Sequence, residues 1–145
     1  MEYEIIYQLI LATLLGALIG LEREVMRKEA GLRTYSLVSL GTCLFTIISL
    51  ELFQSFTSTI GVSFDPARII QAIASGIGFI GAGVIFRQQS GVVGITTAAA
   101  LWVVAAIGLA VGAQLYLLAI FTTFMTLLIL FAFRLFEEEV LDKKE

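Results

Sequence analysis

The chain contains no histidine, one cysteine (Cys43), one proline and few charged residues. The absence of histidine excludes imidazole acid–base catalysis and most zinc and haem sites. A single cysteine can form neither an internal disulfide nor a cysteine cluster. Nine basic and twelve acidic residues, with no basic run, provide no surface suited to nucleic acid. We therefore expect no cofactor, no certain metal site and no nucleic-acid partner.

Long apolar runs dominate the sequence instead. Hydrophobic residues make up 59% of the 145 positions and charged residues only 14%, whereas a soluble domain carries about 25% charged residues. A helix of about 20 apolar residues crosses a bilayer core about 30 Å thick. Because the runs are continuous rather than alternating, they predict an all-α integral membrane bundle of about five transmembrane helices. The predicted spans are residues 5–21, 35–53, 69–86, 95–112 and 115–133.

The connections between these spans are short, so residues 1–145 are expected to form a single membrane domain without a soluble C-terminal domain. The first span follows an acidic start and has no small-residue cleavage site after it, which favours a retained helix over a signal peptide. Thr34 is a candidate N-cap for the second helix. Asp65 followed by Pro66 is a candidate start for the third helix.

Basic residues are divided unequally between the two sides that five spans define. Eight of the nine lie on one side and only Arg68 lies on the other. Because Lys and Arg accumulate on the cytoplasmic side of a membrane, the N-terminus is expected outside and the C-terminus inside. The eight residues are Arg23, Arg27, Lys28, Arg33, Arg87, Arg134, Lys143 and Lys144.

The third span is distinguished by its small residues. Its large aliphatic residues recur every three or four positions and form one stripe, while small residues occupy two other faces. Helices in lipid associate where small residues let their backbones approach. The pattern therefore predicts that the stripe faces lipid and that a Gly-rich third helix is central in the bundle. The stripe consists of Ile69, Ile73, Ile77, Ile80 and Val84.

Glycines also recur on single faces of the first and fourth spans. We expect these glycines and those of the third span to be helix-packing positions. The surplus of small faces predicts a homo-oligomer, most simply a homodimer. The alternative for residues 76–83 is a bend, or an exposed backbone that meets a substrate. The predicted packing positions are Gly16, Gly20, Gly76, Gly78, Gly81, Gly83, Gly108 and Gly112.

Polar residues next to the spans form a candidate functional cluster. Arg68 lies in a first helical turn, where a cation opposes the helix dipole, so an acidic partner such as Asp65 is expected. The alternatives are a capped helix with a surface ion pair, or a functional charged site at the outer mouth. On the other side, a solvated surface is the alternative to a functional site. The candidates are Glu22, Arg23, Arg33, Thr34, Asp65, Arg68, Arg87, Thr96 and Thr97.

Four segments in order resemble the MgtC/SapB family in a short form that has only the membrane domain. They are GLER at 20–23, GLRT at 31–34, the stretch from DPAR at 65–68 through SGIGFIGAG at 75–83 to Arg87, and GITTAAALW at 94–102. The resemblance implies a multi-pass protein of the bacterial inner (plasma) membrane, associated with magnesium homeostasis, growth under low magnesium and survival inside host cells. It also implies modulation of other membrane protein complexes, including the ATP synthase.

Two departures from the family pattern limit what the resemblance implies. The longer virulence members carry a soluble C-terminal domain, whereas this chain ends about a dozen residues after its fifth span. Those members also have a cysteine directly after the Leu-Trp pair, where this chain has Val103. Roles that depend on that domain or on that thiol are therefore not expected here.

Two functions fit these features. A small regulatory or scaffolding protein that binds partner helices fits the small-residue faces, whereas an oligomeric transporter or channel for magnesium or another ion needs acidic residues along its path. The only acidic candidates near the spans are Asp65, Glu51, Glu22 and Glu24, and none lies in the middle of a span. Because ionisable residues within the membrane usually mark ion pathways, the regulatory function is favoured. An enzyme is not expected, since both histidine and an aspartate pair within the helices are missing.

Overall fold

The computed structural model describes residues 2–56, 65–89 and 91–141. In these residues the regular secondary structure is helical apart from one short hairpin, and the five helices are long and apolar enough to cross a membrane. The prediction of five helical spans is thereby confirmed. The helices are α1 (Glu2–Val25), α2 (Leu32–Phe56), α3 (Pro66–Val84), α4 (Ile95–Gly112) and α5 (Tyr116–Leu141).

A two-stranded antiparallel hairpin, which the sequence did not predict, connects α3 to α4. Strand β1 (Phe86–Gln88) pairs with β2 (Gly91–Val93), so that Arg87 lies opposite Val92. Gly94 follows β2 with a φ of 89°, and a Cβ on it would lie 2.9 Å from the carbonyl carbon of Val84. Glycine is required here both by the left-handed backbone and by the close approach of α3.

Helix α4, rather than α3, occupies the centre of the bundle. Of the most apolar 18 residues of α4, 56% are buried, compared with 11% for α3. Helix α4 packs against each of the other four helices. Its side chains Leu101, Val104 and Ile107 belong to the fully buried core. The prediction of a central Gly-rich third helix is therefore corrected: α3 lies at the edge of the single chain.

The faces of α3 are also reversed relative to the prediction. Ile77 is buried and Ile73 is half-buried, so part of the aliphatic stripe points toward the bundle instead of toward lipid. Among the α3 glycines, Gly81 approaches α4, where a Cβ would lie 3.5 Å from the Cβ of Ala98. The glycines where a Cβ would meet no atom within 4 Å are Gly76, Gly78 and Gly83.

Glycines on α1 and α4 let these helices approach α2 closely. A Cβ on Gly16 would lie 2.7 Å from the Cβ of Ser39, and a Cβ on Gly112 would lie 2.7 Å from the carbonyl oxygen of Cys43. Both distances are shorter than van der Waals contact, so any side chain would push the helices apart. The glycines enclosed in this way against α2 are Gly16, Gly20, Gly108 and Gly112.

The helix starts agree with the sequence in one case and differ in another. Asp65 caps α3 as predicted, because its Oδ1 accepts a hydrogen bond of 2.9 Å from the Ala67 N–H. Thr34 is not the N-cap of α2, since the helix begins at Leu32. The Leu32 N–H instead donates to the Glu24 carboxylate at 2.8 Å. A cap supplied from eight residues earlier cannot be recognised from the local sequence.

Candidate functional site

A cavity of about 650 Å³ opens at one end of the bundle. This basic end comprises the C-terminal ends of α1, α3 and α5 and the N-terminal ends of α2 and α4. Three cations, Arg23, Lys28 and Arg134, line the cavity together with one carboxylate, Glu29. Three positive charges and one negative charge give the lining a formal charge of +2. We call this space the basic cavity.

Arg23 is the buried cation of the basic cavity. Its side chain is 4% exposed, and it forms a bidentate ion pair with Glu22, whose side chain is 18% exposed. The Nε donates to Oε2 at 2.5 Å and the Nη2 donates to Oε1 at 2.7 Å. A guanidinium has five N–H donors. The pair engages two of them, which leaves three to donate to another acceptor.

Thr97 and Glu29 join the start of α4 to the loop that follows α1. The Thr97 hydroxyl donates to the Glu29 carboxylate at 2.6 Å, and the Tyr35 hydroxyl donates to the Thr97 carbonyl at 3.1 Å. The Thr97 hydrogen bond holds the pKa of Glu29 below its usual value, and the nearby charges of Lys28 and Arg23 lower that pKa further. Glu29 is therefore ionised at neutral pH and its carboxylate is already bound to Thr97.

The first turn of α4 supplies backbone donors to the basic cavity. Gly94, Ile95, Thr96 and Thr97 all line it. The N-cap residue Gly94 makes no side-chain cap, and no acidic residue lies in the first turn. The first N–H groups of a helix have no partner within the helix, and this end carries the positive pole of the helix dipole. Backbone and side chains together give the cavity a positive potential.

The structure brings four of the predicted candidate residues together and separates the others. Those at the basic cavity are Glu22, Arg23, Thr96 and Thr97, of which Glu22 contacts Arg23 and the other three line the space. Those at the basic end but outside the lining are Arg33, Thr34 and Arg87. Asp65 and Arg68 lie at the opposite end, and in the residues described no ion pair joins them.

Three charged lining residues were not among the predicted candidates: Lys28, Glu29 and Arg134. Lys28 and Glu29 lie in the loop after α1, whereas Arg134 belongs to the last turns of α5. The count of basic residues by side did place Lys28 and Arg134 at the same end. That count could not show which of the basic residues come together in one cavity.

A smaller polar cavity of about 280 Å³ lies at the opposite end of the bundle. Gln8 is buried there, and its Nε2 donates to the carbonyls of Val111 at 3.2 Å and Gly112 at 3.3 Å. Within the described ranges, no group of three His, Cys, Asp or Glu residues is placed to hold a metal ion. The polar residues that line this acidic cavity are Glu4, Gln8, Glu51, Gln54 and Gln114.

Helix α3 presents an exposed face that combines one large side chain with two gaps. Phe79 is 83% exposed, and Gly76 and Gly83 lie three residues before it and four residues after it. Residues at this spacing share one face of a helix. A Cβ on either glycine would meet no atom within 4 Å. We call the surface formed by Gly76, Phe79 and Gly83 the outer face of α3.

Comparison with known proteins agrees with the resemblance found in the sequence. A model of the MgtC family matches residues 9–139. The chain belongs to the MgtC family. With five helices that can cross a membrane, it is an MgtC-type membrane protein of a family found in bacteria.

Curated relatives include the putative magnesium transporter YhiD of Escherichia coli K12, which is 43% identical over 143 residues, covering 99% of this chain and 66% of YhiD. SapB of Bacillus subtilis is 43% identical over 78% of this chain and 49% of SapB. MgtC of Brucella abortus is 44% identical over 72% of this chain and 40% of MgtC. The chain thus spans between two fifths and two thirds of these relatives. No solved structure matches the chain significantly.

Proposed function

We propose that this MgtC-family protein is a regulatory protein of the bacterial inner membrane that supports adaptation to low magnesium through contacts between transmembrane helices. The observation that carries the proposal is the outer face of α3, which stays open while the glycines of α1 and α4 are enclosed against α2. Since helices in lipid associate by close packing, an open face with glycines is suited to another helix. The proposed orientation places the basic end in the cytoplasm.

The proposed occupant of the outer face is a second copy of the chain. The face carries both a protruding side chain, Phe79, and open space beside Gly76 and Gly83. A two-fold axis brings the same surface of both subunits together. Phe79 of one copy can then fill the space beside a glycine of the other, so the face is complementary to itself. A face that offered only gaps would need a different partner.

The interior of the bundle favours regulation over transport by a single chain. Helix α4, at the centre, contains no charged residue. On the polar face of α2, the Thr46 hydroxyl donates to the Thr42 carbonyl at 2.8 Å, and the Thr42 hydroxyl donates to the Val38 carbonyl at 3.0 Å. Both threonines are buried. Their hydroxyls are satisfied by their own helix, whereas the buried Ser39 Oγ on the same face has no hydrogen-bond partner among the described residues.

Cysteine cross-linking in native membranes tests the proposed dimer. In a Cys43→Ala background, Gly76→Cys and Gly83→Cys are expected to give a disulfide-linked dimer on oxidation, because both positions are open and lie at the proposed two-fold contact. Leu117→Cys on α5 is the matched control, since Leu117 is 83% exposed like Phe79 but lies outside the face. Adding Phe79→Ala is expected to reduce the cross-linked fraction several-fold, whereas adding Leu117→Ala leaves it unchanged.

The same variants connect the dimer with the proposed function. The variants are expressed separately in a bacterium that lacks its own MgtC-family member and are compared by growth at low magnesium. The Leu117→Ala protein is expected to restore growth, whereas the Phe79→Ala protein is expected to restore it poorly. Equal cross-linking at Gly76 and Leu117 contradicts the dimer. If the cross-linked product has the mass of this chain plus another protein, the outer face of α3 binds that protein instead of a second copy of the chain. Full growth of the Phe79→Ala strain removes the outer face from the function.

Magnesium transport is the second candidate, favoured by the acidic cavity and by the relative's name. Glu4 and Glu51 line that cavity together with three glutamines, and hydrated Mg²⁺ is usually bound through one or two carboxylates. If the regulatory proposal is right, proteoliposomes with the full chain take up no more Mg²⁺ than protein-free vesicles when an entrapped dye is read under a gradient. Uptake that falls in Glu51→Gln but not in Glu24→Gln, at the opposite end, would establish transport instead.

A further inference from the structure

We propose that the basic cavity binds a phosphate group, and that the headgroup of an anionic phospholipid supplies it. The inference does not depend on the outer face of α3, because the cavity is built by α1, the loop after it, β2, α4 and α5. Its volume of about 650 Å³ is large enough for a headgroup with its glycerol.

The charges of the lining favour an anion. Arg23 is held in place by Glu22 and keeps three N–H donors beyond that pair. Guanidinium and phosphate oxygens form charge-assisted hydrogen bonds, which are about twice as strong as neutral ones. Lys28 adds a second cation. Glu29, the one carboxylate of the lining, accepts a hydrogen bond from Thr97. Counting Glu22, which pairs with Arg23, three cations and two carboxylates leave the cavity with a net formal charge of +1.

The start of α4 adds donors of another kind. Residues 94–97 line the cavity, and α4 begins at a glycine that offers no side-chain cap. Backbone N–H groups at such a helix start bind phosphate well, since they combine open donors with the positive end of the dipole. The buried guanidinium of Arg23 lines the same cavity and keeps N–H donors beyond its pair with Glu22, so it adds side-chain donors beside these backbone groups.

The apolar part of the lining favours a lipid over free phosphate. Ile129, Leu130 and Phe133 of α5 line the cavity beside the cations, and Phe133 is 63% exposed on the surface of the helix bundle. A phospholipid carries its phosphate next to acyl chains, so one molecule can contact both parts. Basic pockets between helices at the cytoplasmic side are suited to anionic headgroups.

Arg134 is less suited to bind the phosphate than Arg23 and Lys28. It contacts the sulfur of Met26, so its guanidinium is already engaged in part. The decisive substitution is therefore made at Lys28, which is exposed and lies outside the packed core.

Native mass spectrometry of the full chain in detergent tests the proposal, with phosphatidylglycerol and the neutral phosphatidylcholine as probes. We expect the wild type to retain one phosphatidylglycerol in preference to phosphatidylcholine. Lys28→Gln is expected to weaken that binding about fivefold, the effect of about 1 kcal/mol per basic residue near a headgroup. The control is Arg33→Gln, which removes the same charge from an exposed residue at the same end but outside the lining, and it is expected to change binding less than about twofold.

Excess inorganic phosphate separates the two sources of the phosphate group. If phosphatidylglycerol stays bound, the lipid is the ligand; if inorganic phosphate displaces it, the cavity binds free phosphate and the assignment to lipid is wrong. Equal weakening in Lys28→Gln and Arg33→Gln overturns the site, because only surface charge is then at work. The proposed site is also overturned if the wild type retains neither phosphatidylglycerol nor phosphatidylcholine. Melting temperatures in phosphatidylcholine confirm that both variants are folded.

Discussion

Replacing Gly108 with alanine is expected to destabilise the bundle by about 3 kcal/mol. A Cβ at this position would collide with the Thr42 hydroxyl and the Ser39 carbonyl oxygen, and it would lie 2.9 Å from the Ser39 carbonyl carbon. A side chain can rotate away, but the Ser39 carbonyl can move only if α2 moves away from α4. Overpacking a core costs about 1–3 kcal/mol, and a collision with backbone belongs at the upper end of that range. Denaturant unfolding in mild detergent measures the loss.

Gly41→Ala is the matched control because it makes the same change on α2 where a Cβ would meet nothing within 4 Å. Alanine is favoured over glycine inside a helix by up to about 1 kcal/mol, so this variant is expected to be as stable as the wild type or slightly more stable. If Gly108→Ala unfolds at the same denaturant concentration as Gly41→Ala, the backbones of α2 and α4 are not in close contact at Gly108.

The helices could be predicted because each depends on local sequence. Apolar length fixes a span, and Asp65-Pro66 provides both the acceptor and the backbone conformation that start α3. The start of α2 depends on contact with another element, because Glu24 reaches across from α1 to the Leu32 N–H. Because this carboxylate belongs to α1, the sequence around the start of α2 contains no capping signal.

The orientation of α3 could not be predicted because lipid and neighbouring helices are equally apolar. In water a polar face marks the solvent side, but in a membrane an isoleucine such as Ile77 is equally stable against acyl chains or against a neighbouring helix. Small residues then indicate only that something approaches closely. On α1 and α4 that neighbour is α2, whereas Gly76 and Gly83 have none within the described chain.

The basic cavity combines predictable and unpredictable parts. Glu22 and Arg23 were candidates because they follow the first span directly. Arg134 was counted with the other basic residues at the end where the structure places it, but it lies more than 100 residues after Arg23. Only the packing of α5 against α1 and α4 brings it to the same cavity. Charge counting identifies an end of the bundle. Convergence at that end is a property of tertiary structure.

Arg23→Gln is expected to cost about 2–3 kcal/mol of folding stability. Removing one member of a buried ion pair usually costs about 3–5 kcal/mol, because the remaining charge has no partner. Arg23 is buried at 4% exposure, but the Glu22 side chain keeps 18% of its surface. Water therefore stabilises part of the remaining carboxylate charge, and the loss falls below the usual range. Thermal unfolding in phosphatidylcholine, without an anionic lipid, separates this effect from ligand binding.

Two further variants show that the ion pair causes the loss. Glu22→Gln combined with Arg23→Gln leaves no unpaired charge and is expected to recover about half of the lost stability. Arg23→Lys retains the charge but cannot form two parallel hydrogen bonds to the carboxylate, so it is expected to lie between the wild type and Arg23→Gln. Arg33→Gln, at an exposed position of the same end, is expected to change stability by less than about 0.5 kcal/mol. If Arg23→Gln is as stable as Arg33→Gln, the guanidinium is not buried, and the basic cavity loses the residue on which its affinity for an anion most depends.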